Sequence, residues 1–179
     1  GIITGILSGR IKWLYRISGP PMHIFRAFPP VALVPFFLMV MGINETSKIV
    51  IVSLGVFFPV WINAHEGATQ VPSELLEVGK DLNISKFQIY KRVIYYSALP
   101  YICAGIRTGI GMAYVMVFIG EWIGANSGIG YRLSVAHVVG ASDHMVVGLL
   151  FLGILSYSTD LIFRSIVRWR YPWMESTKW

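Results

Sequence analysis

Apolar residues gather in long, nearly charge-free runs rather than at the alternating or three-and-four spacing of half-buried elements. Four such runs stand out, at residues 27–43, 49–64, 101–124 and 145–167. Crossing ~30 Å of hydrocarbon takes about 20 mostly apolar helical residues, so the pattern predicts four spanning helices. Pro29, Pro30 and Pro35 interrupt the first run. Prolines in a span are tolerated where neighbouring helices re-satisfy the freed backbone groups, which predicts a kinked helix packed on others. The short run Gly1–Leu7, followed by Arg10 and Lys12, cannot span by itself. Its charges follow the apolar stretch, unlike those of a signal peptide. It is expected to be the tail of a spanning helix, with the N-terminal part of a single domain over residues 1–179 missing.

Between the second and third runs, residues 65–92 form the most informative polar stretch. Pro72 and Ser73 can open a helix, with Glu74 and Glu77 near its positive end. Leu75, Val78 and Leu82 share one face at helical spacing, and Ser85-Lys86-Phe87-Gln88 has the form of a capping box for a second short helix. Two short helices held between spans can dock into a groove on a partner or lie on lipid headgroups. The pattern leaves both open.

Composition supports the membrane reading: 55% of the 179 residues are hydrophobic and 13% charged, against roughly 45–50% and about 25% in soluble domains. The net charge of +6 would suit a nucleic-acid binder only as a continuous basic face. Instead it sorts by topology. With a cytosolic C-terminus, 12 of the 15 basic residues fall inside, among them Arg10, Lys12, Arg16, Arg26, Lys91, Arg92, Arg168 and Arg170; Lys48 and Arg132 fall outside and Arg107 within a span. That asymmetry is the positive-inside pattern, with Trp169, Trp173 and Trp179 as an interfacial belt. Four of nine acids, Glu66, Glu74, Glu77 and Asp81, share the 65–92 segment.

Candidate chemistry is sparse. Cys103 is the single cysteine, and His23, His65, His137 and His144 lack ligand-like spacing, so no metal site is expected. Ser127-Gly128-Ile129-Gly130 is glycine-rich but lacks the Lys-Ser/Thr of a phosphate-binding loop. The chain is therefore expected to bind no nucleotide. Arg107 could attract an anion or snorkel to the cytosolic interface. Glu121 could line a path or gate, or cap the 127–130 loop, the second being preferred. Asn63 and His65 are expected to steady the turn that ends the second span. Gly105–Gly109 and Gly120–Gly124 have the small-xxx-small spacing of close helix pairs, within one subunit or between two.

The segment Glu77-Val78-Gly79-Lys80-Asp81-Leu82-Asn83-Ile84-Ser85, then Arg92 to Pro100, resembles the EAA loop of permease subunits of binding-protein-dependent ABC importers. Val78-Gly79 stand where two alanines are usual, Asn83 replaces the family's glycine, and Tyr95-Tyr96 replace its Leu-Pro, although Leu99-Pro100 is retained. Phe28 to Pro35, Gly42 to Lys48 and Glu121 to Tyr131 are similar to the nitrate/sulfonate/taurine branch. The resemblance covers essentially the whole chain. It implies an all-α polytopic bundle of the type I importer fold in a bacterial inner membrane, with residues 73–91 as cytosolic coupling helices. Glu74, Glu77, Gly79, Asp81, Asn83 and Ser85 would then couple to an ATPase. Arg107, Glu121 and Asn63 are the candidates for the substrate pathway. The implied partners are two ATPase subunits carrying ATP and Mg, a second permease copy as a homodimer, and an extracytoplasmic binding protein. The implied cargo is a small anion. The rivals are a self-contained channel or secondary transporter, and an intramembrane enzyme; Arg107 and Glu121, about 21 Å apart along one helix, cannot share a catalytic site within a subunit.

Overall fold

The computed structural model describes residues 1–176, excluding the side chains of Lys80, Lys86, Glu175 and Ser176. Lys178 and Trp179, expected at the cytosolic interface, lie outside the described residues. All regular elements among those described are helical. In chain order they are α1 (Ile2–Arg10), α2 (Lys12–Ala27), α3 (Pro30–Met41), α4 (Glu45–Thr69), α5 (Ser73–Asp81), α6 (Lys86–Gln88), a π-helical segment (Ile89–Ile94), α7 (Tyr95–Gly124), α8 (Ile129–Val138) and α9 (Ser142–Arg170), before a 3₁₀ turn at Pro172–Ser176.

Three helical stretches, Glu45–Thr69, Ile89–Gly124 and Ser142–Arg170, are each long and apolar enough to cross a membrane. The 27–43 run meets the length of a span only together with α2, as one span broken at Phe28 and Pro29. It is helical only over the 12 residues of α3, about 18 Å at 1.5 Å per residue, and α2 meets α3 at an angle of 89°. The cause is local. Phe28 and Pro29 are extended, with ψ of 127° and 117°. A residue before proline avoids the helical region, and two successive prolines supply no N–H to continue the ladder. Pro35, further in, leaves α3 intact.

The core is an antiparallel pairing of α4 with α7, with α1 running parallel to α4 and its Ile2 and Ile6 packed on Ala64, Ala98 and Ile102 of both. Glycines set these distances. A Cβ at Gly105 would lie 2.8 Å from the Asn63 Cβ, and one at Gly67 would lie 2.7 Å from the Tyr101 Cβ. On α1, Gly5 abuts the Trp61 carbonyl and Gly9 the His65 carbonyl. In lipid, where apolar contact alone gives little preference for helix over acyl chain, such close approach is what association rests on. The Gly105–Gly109 pair therefore packs inside the subunit, whereas a Cβ at Gly120 would meet nothing within 4 Å.

A buried cluster of Val34, Leu38, Ile51 and Met116 ties α3 to that core. The outer helix α9 buries little: Val147, Leu150, Phe151, Ile154, Ile162 and Ile166 all point outward. It is held instead by Gly148 against Leu133 of α8, by Leu99 and Cys103 against Val167, and by polar bonds to α7.

Candidate functional site: an exposed cytosolic-type helix pair and an intramembrane charge cluster

The capping chemistry of the 65–92 segment explains its shape. Helix α4 continues to Thr69, so His65 sits within it. There the His65 ring lies 3.0 Å from the Ser8 hydroxyl through Nδ1 and stacks on Tyr15 at 4.5 Å, joining α1 and α2 to α4. After Val71 and Pro72 the chain opens α5 at Ser73. Helix α5 ends at Asn83, whose φ of 52° is left-handed. The Ile84 N–H donates to the Gly79 carbonyl at 3.2 Å, the long bond of a Schellman end. Asparagine, with its short polar side chain, enters this conformation more readily than other non-glycine residues. Asn83 thus preserves the turn that glycine makes in the family it resembles. Next, the Gln88 N–H donates to the Ser85 hydroxyl while the Ser85 N–H donates to the Gln88 side-chain oxygen, both at 3.3 Å. The expected capping box is present.

These two stops fix how α5 faces. Leu76 turns inward onto the Ala68–Val71–Ile94 cluster with Ile89 and Tyr90. Gly79 is also buried, its Cβ position 3.4 Å from Ile84 and Ile89. Of the six residues the sequence assigns to coupling, Gly79 therefore packs the helix down, while Glu74, Glu77, Asp81, Asn83 and Ser85 are exposed. The expected stripe is exposed too: Leu75, Val78 and Leu82, continued by Phe87 at 73% exposure, face away from the protein. An acidic edge beside an apolar stripe is what the segment presents.

The second feature lies at membrane depth. Arg107 is near the middle of the 36-residue helical stretch Ile89–Gly124. It crosses to α9. Its Nε and Nη2 donate to Asp160 at 2.8 and 3.3 Å, and Arg164 reaches the same carboxylate at 2.8 Å. Beside this cluster the Tyr114 hydroxyl bonds Thr159 at 2.6 Å. Asp160 escaped the sequence reading although its signal was present. It is an acid within the fourth apolar run, and an intramembrane charge requires a partner; Arg107 is the basic residue inside another run.

The remaining candidates do not join that cluster. Glu121 accepts the Gly130 N–H at 2.8 Å and lies against Gly128, whose φ of 108° and crowding by the carboxylate both require glycine. Glu121 caps the start of α8, the preferred of its two readings. Asn63 donates to the Pro59 carbonyl of its own helix at 2.8 Å and packs on Gly105. Among the described residues no group of three His, Cys, Asp or Glu side chains could hold a metal ion.

A pair of short exposed helices built into a glycine-packed bundle of long apolar helices defines a polytopic, all-helical membrane fold. The chain belongs to the family described as "Binding-protein-dependent transport system inner membrane component", whose model matches residues 1–175. It is 33% identical over 174 residues to the putative aliphatic sulfonates transport permease SsuC of Bacillus subtilis, covering 95% of this chain and 63% of that one. It is 31% identical to the nitrate import permease NrtB of Synechocystis (89% and 58% covered). It is also 31% identical to the taurine transport system permease TauC of Escherichia coli (97% and 63% covered). The chain thus spans about three fifths of the length of these relatives. In fold it is similar to the MetNI methionine ABC transporter in an inward-facing conformation, with a TM-score of 0.74 at 24% identity over 92% of this chain and 83% of that one.

Proposed function

We propose that the chain forms the membrane-spanning part of an ATP-driven importer that passes a small anion of the nitrate, sulfonate or taurine kind. An extracytoplasmic binding protein delivers the solute. Two separate ATPase subunits bind ATP and Mg, and a second copy of the chain completes the pathway. The chain itself works as a transport subunit and not as an enzyme. It sits in the bacterial inner membrane with a cytosolic C-terminus, the orientation that the basic residues favour.

One observation carries this reading. The exposed stripe Leu75–Val78–Leu82–Phe87 is flanked by Glu74, Glu77 and Asp81 on a helix fixed at both ends. A helix meant for the headgroups would carry mainly Lys and Arg beside its apolar face, because the cytosolic leaflet is anionic, whereas α5 carries three acids to the single base Lys80. Acidic flanks oppose that and suit a protein groove with basic rims. A docked α5 is a lever on α7, to which the tight 82–85 turn, α6 and the π-helical segment join it.

The test is co-purification with the ATPase encoded beside this chain, followed by ATP hydrolysis in lipid with the loaded binding protein. Stimulated hydrolysis that falls in Glu77→Lys and in Val78→Asp supports the docking face. Solute uptake by the purified chain alone, with no ATPase present, overturns it.

A further inference from the structure

Helix α2 divides its circumference into three strips. At helical spacing, Leu14, Tyr15, Ser18, Gly19 and Met22 share one side, and all five are buried or half-buried. Tyr15 stacks on His65 and bonds His23 at 3.1 Å, and His23 meets the Trp61 ring edge-on, so this strip is seated on α4. The second strip is apolar yet exposed: Trp13, Ile17 and Ile24. The third is basic, with Lys12, Arg16 and Arg26 all exposed. No acid lies on α2, and among the described residues none of these three cations enters an ion pair. At the end of α1, Arg10 donates to the Ala68 carbonyl at 3.4 Å and adds a further positive charge at the α1–α2 corner.

The course of α2 is shallow. From Tyr15 to His23, about 12 Å of α2, its partners on α4 move only from His65 to Trp61, about 6 Å. Pro20 and Pro21 supply no N–H to the carbonyls of Arg16 and Ile17. Water of the headgroup zone can serve those carbonyls, whereas hydrocarbon cannot.

We propose that the exposed side of α2, with the α1–α2 corner, is a docking surface for anionic phospholipid. Trp13, Ile17 and Ile24 enter the acyl boundary, while Arg10, Lys12 and Arg16 hold headgroup phosphates. Basic residues beside an exposed apolar strip that carries Trp are the make-up of a helix lying in the membrane interface. The acid-flanked stripe of α5 is the opposite case. A free phosphate would use the cations and leave the apolar strip bare; an anionic lipid uses both. That the lipid belongs to the cytosolic leaflet rests on the orientation given to the permease; the make-up of the surface does not. Because α2 sits on His65 and Trp61 and leads into α3, lipid held there steadies the inner arm of the broken span.

Photo-crosslinking identifies the occupant. Ile17→Cys and, separately, Ile24→Cys are made in the full chain carrying Cys103→Ala, which removes its single cysteine. Both positions are exposed, so a benzophenone maleimide attached there displaces no packing. The purified chain is illuminated in mixed phosphatidylglycerol–phosphatidylcholine bilayers, and the adducts are weighed by mass spectrometry. The phosphatidylglycerol-to-phosphatidylcholine ratio among adducts is expected about fivefold above that of the bilayer, the preference that one basic residue near an anionic surface confers. Lys12→Gln with Arg16→Gln, both at exposed positions, returns the ratio toward that of the bilayer, and so does added salt. Adducts at the bilayer ratio in the unsubstituted basic strip overturn the preference for anionic lipid. Adducts to a second copy of the chain, or no lipid adduct at either position, overturn the docking surface itself. Because no ATPase takes part, this failure is separable from that of the importer reading, which co-purification tests.

Discussion

Breaking the α7–α9 cluster should cost more than its partial exposure first indicates, and a double-mutant cycle measures how much. Asp160 receives two guanidinium groups, at 2.8 Å from the Arg107 Nε and 2.8 Å from the Arg164 Nη2. Its side chain retains 22% exposure, and that of Arg107 28%. Removing one partner of a fully buried pair costs about 3–5 kcal/mol, while exposed pairs are worth about 0–1. Asp160→Ala removes the carboxylate that both guanidinium groups share, with limited access of water to either, so about 2–4 kcal/mol is expected. Arg107→Met leaves Asp160 still paired with Arg164 and should cost less, about 1–2 kcal/mol by the same reasoning. The double variant should fall short of the sum by about 1–3 kcal/mol, the range seen for groups in direct contact. Reversible unfolding in mixed micelles, followed by far-ultraviolet circular dichroism, gives all four corners. A coupling energy below about 0.5 kcal/mol, the scatter for independent sites, would refute the reasoning, because water would then be solvating each charge separately. The exchanged pair, Arg107→Asp with Asp160→Arg, should not restore stability fully, since Arg164 would then face a second guanidinium on its own helix.

Asn83→Gly should leave α5 unchanged, whereas Asn83→Val, placing a β-branched side chain at φ of 52°, should loosen the helix by about 1–2 kcal/mol; amide exchange over residues 73–84 reads the difference. Gly105→Leu drives side-chain atoms into Asn63 and the Pro59 carbonyl and should destabilise by about 1–3 kcal/mol as overpacking. The comparison Gly153→Ala, in open space, should stay within about 0.5 kcal/mol, with thermal unfolding in detergent as the measurement. Glu121→Ala removes a charged acceptor from the Gly130 N–H and should cost about 1.5–3 kcal/mol. Glu121→Gln retains an acceptor and should recover part of that loss. Solute uptake that is lost in Glu121→Gln while stability is kept would return Glu121 to the pathway.

What the sequence revealed was whatever depends on neighbours along the chain. The three long spans are written in run length, the capping box in Ser85 and Gln88, and the break before α3 in Pro29-Pro30, although its 89° angle exceeds a kink. The spacing Leu75–Val78–Leu82 identified a stripe but not its direction, because direction depends on Leu76 and Gly79 finding Ile89 and Ile94 below. Pairings between distant segments were hidden for the same reason. Nothing near Arg107 in the chain points to Asp160, 53 residues on. Nor does Gly5-Ile6-Leu7-Ser8-Gly9 reveal that its two glycines clasp α4 at Trp61 and His65. Small-xxx-small spacing is common in membrane helices and indicates a close approach without saying to what.

From Ile89 to Gly124 the chain is one helical rod, about 54 Å long at 1.5 Å per residue, with α5 fastened to its foot through Leu76, Ile89 and Ile94. Along α4 the rod packs closely at Gly67 and Gly105, where a Cβ would lie under 3 Å from its neighbours. Along α9 it is joined mainly by side chains with freedom to re-pair, Arg107 with Asp160 and Tyr114 with Thr159. A carboxylate shared between two guanidinium groups can follow one of them while keeping the other. A displacement imposed at α5 therefore carries α4 and α7 together and is taken up at the α7–α9 seam, where the Arg107–Asp160–Arg164 cluster lies. The stiffest contacts connect the exposed helix to the charge cluster, and the most adaptable ones sit at the cluster itself.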